Sequence, residues 1–404
     1  MASGSAMHNR VASVDSSTGI ECLESTESSL SAYSDKDYQA QVSDLIDGDQ
    51  PTDELIQVAS QFIDTFSTTE ENNFTHHKTN ICLDRVMTAM MFHAEGAGGE
   101  RSQRYVAAAI VAAGSDTTDR VRNLAITWLT HFLYVFKAGG SHRRHLNKTP
   151  SRDATPTAFD IDTLSLEGAG NRRGSFRDDV LRRDGYECVV TGVKDCGHPL
   201  AKEVPTIELP VAHILHHAIS DFDKNDKSAF ITYSILYHFS NLDSAAIDSL
   251  QTIIDDTSNG ITLDHHPHIG FDRYRWCLHP TERVNEYRIR IYDDLRHGLF
   301  ARQMNLPGNT GAPVIFRDRS ADLLELGGAS RKRDRTHDLP NPHFIAIHAA
   351  IAGILHMSGA GKFFDELLDK YGGDDDSAPL LRWEEFELYM GVRSAFTPLV
   401  SVQS

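Results

Sequence analysis

Apolar side chains recur at three- and four-residue steps along two N-terminal stretches, first at Leu55, Val58, Phe62 and Phe66, then more regularly at Val121, Leu124, Trp128, Phe132 and Val135. Steps of that size gather one face of an α-helix into an apolar stripe, so both stretches are predicted helices. Between them, Ile81 to Ala113 is rich in alanine and helix-compatible, with Gly96, Gly98 and Gly99 as breaks. The helical period returns at Phe344, Ile345, His348, Ile351, Ala352 and Leu355, and again around Phe363, Phe364, Leu367 and Leu368. The middle of the chain reads differently. Tyr274 to Leu278 and Tyr287 to Tyr292 alternate polar and apolar positions, as the strands of a hairpin do. Gly260 followed by Ile261 and Leu263 suits a turn leading into a short strand, and two more helices are predicted around Ala229 to Phe239 and Ser244 to Ile254. The fold class expected from these elements is α+β.

Stretches without a period set the boundaries. Residues 1–50 hold eleven serines, many acids and few large apolar residues, a composition that does not offset the entropy of ordering, so a disordered tail is expected there. A helical region over 51–137 follows, then a linker over 138–174. A mixed unit over 175–300, a loop-rich connection over 301–340 and a helical region over 341–404 complete the order.

Composition narrows the function classes. The 404 residues, 40% hydrophobic, suit two folded units or one large composite domain. The N-terminus has no charged-then-apolar signal pattern and no apolar run approaches the ~20 residues that span a bilayer, so an intracellular protein, nuclear or cytoplasmic and not secreted, without a membrane partner, is expected. Five scattered cysteines, Cys22, Cys82, Cys188, Cys196 and Cys277, fit a reducing compartment better than a disulfide scaffold. Cys188 reads as a buried strand residue, and Cys188 with Cys196 would make an unusual zinc pair. A net charge of −18 argues against a protein that coats DNA through general basicity, so any contact with phosphates must be local. Arg143 to Arg183 is the richest basic stretch, with Arg177, Arg182 and Arg183 as its candidate nucleic-acid contacts and a solvated linker as the competing reading. Arg331, Lys332, Arg333 and Arg335 form a second, shorter cluster, compatible with nuclear import, phosphate contact or plain solvation.

The chemistry concentrates in Ala212-His213-Ile214, in Asn259-Gly260, and in His268 with Phe271 and Asp272. His268 and Asp272, four apart on a helix, share one face and can grip one ion or form an ordinary surface pair. Together with Arg177, Val180, Leu181, Arg183, Asp184, Cys188, Val190, Thr191 and Gly192, these residues resemble the HNH nucleases. The closest subtype has the signature CxxTG, then AHI, then NGxxLxxxxHxxFD. The resemblance covers residues 174–300, and the run from Asn341 to Ala360 is similar to the tails of HNH-domain proteins of filamentous fungi.

That resemblance implies a ββα-metal core with a helical insertion between His213 and Asn259, flanked by mainly helical N- and C-terminal regions. It implies a metal-dependent endonuclease that hydrolyses phosphodiester bonds, with nucleic acid as partner and DNA favoured over RNA. His213 would be the general base, Asn259 would steady the loop and the base, and His268 and Asp272 would hold a divalent ion. Mixed nitrogen and oxygen donors accept magnesium, manganese, zinc or nickel. Ala212 departs from the many HNH enzymes that carry an Asp or His ligand before the base. Asp264, His265 and His266 are the substitutes nearby, or simply a polar turn. A metal pair of His213 and His217 at helical spacing is the other arrangement, opposed by Pro210, which favours an extended run into His213. Two further readings stand beside the nuclease: an HNH-derived binding or interaction module without turnover, and helical flanks that bind a partner with the core as scaffold.

Overall fold

Asp35 opens the first described helix by accepting hydrogen bonds from the amides of Asp37 and Tyr38, and α1 (Lys36–Asp47) follows. The computed structural model describes residues 33, 35–76, 78–138, 172–216, 219, 227–244, 250–292, 313–325, 337–371, 383 and 386–387. Helix α1 lies inside the stretch expected as a tail. Its apolar stripe is thin, with only Tyr38 and Val42 buried, and it is held from outside its own sequence. Arg104 donates to the carbonyls of Leu45, Ile46, Gly48 and Gln50, and Arg120 pairs with Asp35 at 2.7 Å.

The next helix, α2 (Thr52–Ser67), buries Leu55, Ala59, Ile63 and Phe66, with Val58 at the edge of the stripe. A short antiparallel hairpin of β1 (Asn73–His76) and β2 (Thr79–Cys82) precedes α3 (Leu83–Gly98) and α4 (Glu100–Gly114). The break between those two helices falls at Gly99, whose φ of 77° belongs to the left-handed region that glycine enters without strain. Helix α5 (Thr118–Thr127) runs through a π-helical turn, Trp128–Leu133, into α6 (Tyr134–Ala138). All six residues of that turn are buried, and the Trp128 indole donates to the Tyr33 hydroxyl, which meets that of Tyr105.

The mixed unit begins with α7 (Arg172–Arg183) and a two-residue parallel pair, β3 (Lys194–Asp195) with β4 (Thr206–Ile207). Strand β5 (Val211–His213) pairs antiparallel with β6 (Gly260–Thr262), with Val211 opposite Thr262 and His213 opposite Gly260. The chain between them contains α8 (Lys227–Ser240) and α9 (Leu250–Ile253), and α10 (His265–Asp272) follows β6 directly. The hairpin of β7 (Trp276–Pro280) and β8 (Glu286–Ile291) gains a third strand, β9 (Val314–Ile315). That strand, with α11 (Ser320–Glu325), lies in the expected loop-rich connection, where two-residue pairing leaves no periodic signal. The linker over 139–171, the Arg331 to Arg335 cluster, His217 and the side chains of Arg172 and Arg173 lie outside the described residues.

One helix joins the halves. Asn341 caps α12 (Pro342–Met357) by accepting from the His343 amide, and the proline occupies the first helical position, where its missing N–H is no loss. From Phe344 to Leu355 nearly every side chain is buried, the mark of a helix surrounded by protein. It packs on α3 along one side and on β7 along another, and α13 (Ala360–Tyr371) folds back beside it. Most buried apolar residues, from Tyr33 to Phe386, form one continuous core. Among the described residues no single helix is long and apolar enough to cross a membrane.

The contact of α12 with α10 is aromatic. The His348 ring stacks on Phe271 at 3.8 Å and on Tyr274 at 4.6 Å, and its Nε2 donates to the Phe271 carbonyl at 3.2 Å. Burial, reinforced by the charge of His216, drives His348 down to about 3, so the ring is neutral in the fold. The unfolded chain takes up that proton near pH 6.5, so between about pH 6.5 and pH 3 it binds more protons than the native state, and stability falls as pH falls. The expected cost from this one group is about 2 kcal/mol between about pH 7 and about pH 5. His348→Gln keeps an N–H donor without titrating. Urea midpoints measured across that interval should therefore fall less steeply in the variant, and parallel slopes would refute the account.

Candidate active site

The strand register sets the site. His213 ends β5 opposite Gly260, one residue beyond Asn259. Asn259 is fully buried, and its side chain bridges two segments: Oδ1 accepts from the Leu215 amide at 2.8 Å, while Nδ2 donates to the carbonyls of Leu215 and Ile254. Its own carbonyl accepts from the Ile214 amide at 2.8 Å. The two residues after His213 are thereby tied to Asn259, which fixes the strand end that carries the imidazole. An amide side chain is needed because donor and acceptor are used together.

Gly260 is required by packing. A Cβ there would lie 2.7 Å from Val180 and 2.8 Å from Phe176, so only glycine lets α7 press onto β6. The close approach brings the Phe176 ring against His213, stacked at 4.5 Å and 12°. His213 Nε2 is 3.3 Å from Asp255 Oδ1, with both side chains about a fifth exposed (20% and 21%). A carboxylate at that nitrogen holds the proton there and leaves Nδ1 as the lone pair that accepts one.

Helix α10 supplies the second pair. His268 Nε2 stands 3.3 Å from Asp272 Oδ2, and the two side chains are 6% and 10% exposed. Burial, with the nearby charges of His265 and His213, lowers His268 to about 3, so its imidazole is neutral and has a lone pair for a ligand. The helix is anchored at its start: the Asp264 and Thr191 amides both donate to the buried Cys188 sulfur, at 3.2 and 3.3 Å. Burial pushes the Cys188 thiol up, while Cys196 is exposed. Cys188 is buried as expected but stands just before a turn, outside the strands.

A nitrogen and a carboxylate oxygen held close in a sheltered place suit a divalent ion as two of its donors. Among the described residues no group of three His, Cys, Asp or Glu side chains converges. His265 and His266 are exposed, and neither they nor Asp264 completes such a group. Ala212 is buried opposite Ile261 and contributes no donor. His213 lies on a strand, as Pro210 implies, and not on a helix.

The arginines divide. Arg183, expected to reach nucleic acid, has no exposed surface. Its guanidinium pairs with both carboxylate oxygens of Asp184, at 2.8 and 3.0 Å, and donates to the carbonyls of Thr257, Gly260 and Asp338. Asp184 in turn accepts from the Thr262 amide. Arg183 is thus a buried strut that holds the Asn259-bearing turn, not the phosphate contact expected of it. Arg177 donates to the Leu209 carbonyl at 3.0 Å and lies 3.7 Å from Asp195 and Glu208, while Arg182 is half-exposed on α7.

Two antiparallel strands, the first ending in a histidine held by a buried asparagine, run into a helix bearing His268 and Asp272. Residues 188–279 match the HNH endonuclease family model. No curated protein and no solved structure matches the chain. The matched segment holds His213, Asp255, Asn259, His268 and Asp272 and stops short of Phe176 and Arg183, which α7 contributes from outside it. The match points to a hydrolase of the nuclease type, a class that generally uses a divalent metal ion.

Proposed function

We propose that the chain is a metal-dependent endonuclease that hydrolyses phosphodiester bonds in DNA at a site centred on His213. The observation that carries this reading is the pairing of His213 with Asp255 beside the buried Asn259 anchor. His213 takes a proton from the attacking water, and Asp255 keeps the opposite ring nitrogen protonated and steadies the imidazolium that forms. Asn259 holds the strand end so that the ring does not drift. His268 and Asp272 are the residues that would hold the ion. Bound there, it would supply charge stabilisation at the phosphate and the leaving oxygen. A hard ion keeps several waters, so His268 and Asp272 would suffice as its protein donors, the rest being left to water and substrate.

The second reading, an HNH-derived binding module without turnover, draws on the two-donor set and Ala212. Supercoiled-plasmid cleavage across magnesium, manganese, zinc and nickel separates the two. Wild-type protein is expected to nick in at least one ion and to stop on chelation, and His268→Ala should shift the ion requirement to higher concentrations by about tenfold or more. Absence of cleavage in every ion, with DNA still bound, would favour the binding module.

A further inference from the structure

One face of the β7–β8 hairpin, which meets α12 through Tyr292, carries exposed charge that no ion pair among the described residues answers. Alternation along β8 puts Tyr287, Ile289 and Ile291 on one side and Arg288 and Arg290 on the other, where both arginines are exposed. The register sets Arg288 opposite His279 and Arg290 opposite Cys277, so His279 shares the arginine face. His93 reaches the same place from α3. It is held against α12, where a Cβ on Gly353 would lie 2.2 Å from its ring. The charge of Arg290 acts on both imidazoles and, together with burial, holds His93 down to about 4 and His279 below its usual value.

Acids outnumber bases 57 to 39 in this chain, which makes an unanswered basic face a notable exception. Among the described residues neither arginine has an ion pair. Glu286, the acid two positions before Arg288, is engaged by Arg283 at 3.5 Å and by Thr281 at 3.1 Å. The Arg290 guanidinium instead lies over the Tyr292 ring at 5.0 Å, and that ring stacks on His356 of α12 at 4.6 Å. The stack holds the arginine in place without neutralising it, which leaves its N–H groups available to a bidentate oxyanion.

We infer that Arg288, Arg290, His279 and His93 form a phosphate-binding site for the backbone of a nucleic acid, separate from the His213 centre. Two arginines on alternate positions of one strand stand in a row, as a chain of phosphates requires, and the neutral imidazoles add N–H donors. The inference rests on the nucleic-acid reading of the active site. It also locates the local basic surface that a chain of net charge −18 needs to hold DNA.

The test is fluorescence anisotropy of labelled duplex DNA with the full chain in EDTA, titrated with salt. Arg288→Gln with Arg290→Gln should weaken binding about tenfold or more and flatten the slope of log affinity against log salt by about 2, because two phosphate contacts are lost. Arg288→Lys with Arg290→Lys, which keeps the charge, should recover most of that slope. Wild-type slope in the glutamine variant overturns the site while leaving the nuclease reading intact. Failure of the wild-type chain to bind any DNA overturns both. Pyrophosphate is the probe for a free-anion source. If calorimetry shows that it binds the wild type and not the glutamine variant, while DNA affinity is the same in both, the nucleic-acid assignment falls.

Discussion

Replacing His213 with alanine should lower the rate of metal-dependent plasmid cleavage by about a hundred- to ten-thousandfold, the usual contribution of a positioned general base. The ring ends β5, stacks on Phe176 and has one nitrogen held by Asp255, so the variant loses the base and little else. Asn259 still ties Leu215 in place through the backbone of that residue, and thermal unfolding should stay within a few degrees of wild type, at a cost of about 1 kcal/mol for the lost contact. Asp255→Asn probes the same dyad from the other side. It keeps the contact and removes the charge that steadies the imidazolium, so cleavage should fall and its pH profile should move. Undiminished cleavage by purified His213→Ala protein would sink the assignment of the base.

The second large effect is structural. Arg183→Leu is expected to cost on the order of 3–5 kcal/mol in urea unfolding, because it leaves the buried Asp184 carboxylate without its guanidinium. It also strips the donors from the Thr257 and Gly260 carbonyls, on either side of Asn259. Replacing Arg183 and Asp184 together should cost less than the single change suggests, since no lone charge remains inside. DNA affinity per folded molecule should be unchanged. A variant of normal stability that had lost DNA affinity would return Arg183 to the nucleic-acid surface.

Local chemistry was legible where the residues of the site are neighbours in sequence. Asn259 and Gly260 are adjacent where a 3-10 turn runs into β6, and His268 and Asp272 share α10, with their side chains 3.3 Å apart. Pro210 correctly argued for an extended run into His213. What the sequence hid is contact across long separations. Asp255 is 42 positions from His213 and sits in a turn beside another acid, Asp256, with nothing to distinguish the two. Phe176 reaches His213 only because Gly260 admits α7, a fact about shape rather than pattern. Arg183 looked like one of several arginines in a basic stretch, and only its burial separates it from Arg182.

The helices follow the same rule: a strong apolar stripe shows in the sequence, and support that comes from elsewhere in the fold does not. Strong stripes such as Val121 to Val135 gave the N-terminal helices, although the π-helical turn within that run left no trace in the spacing. Helix α1 buries two residues and depends on Arg104 and Arg120, so its composition resembled a tail. The β1–β2 hairpin is four residues a side and largely polar, below the length at which alternation is readable.

Helix α12 has a consequence for the order of synthesis. The ribosome completes residues 188–279 well before Pro342–Met357, yet α12 donates to the backbone carbonyls of Phe271 and Tyr274 through His348 and His356. A nascent chain that already contains His213, His268 and Asp272 therefore lacks the partner that closes the end of α10. The segment that carries those residues leaves the exit tunnel before α12 is available to pack on it, so a translation product cut short ahead of the helix carries the motif without the brace.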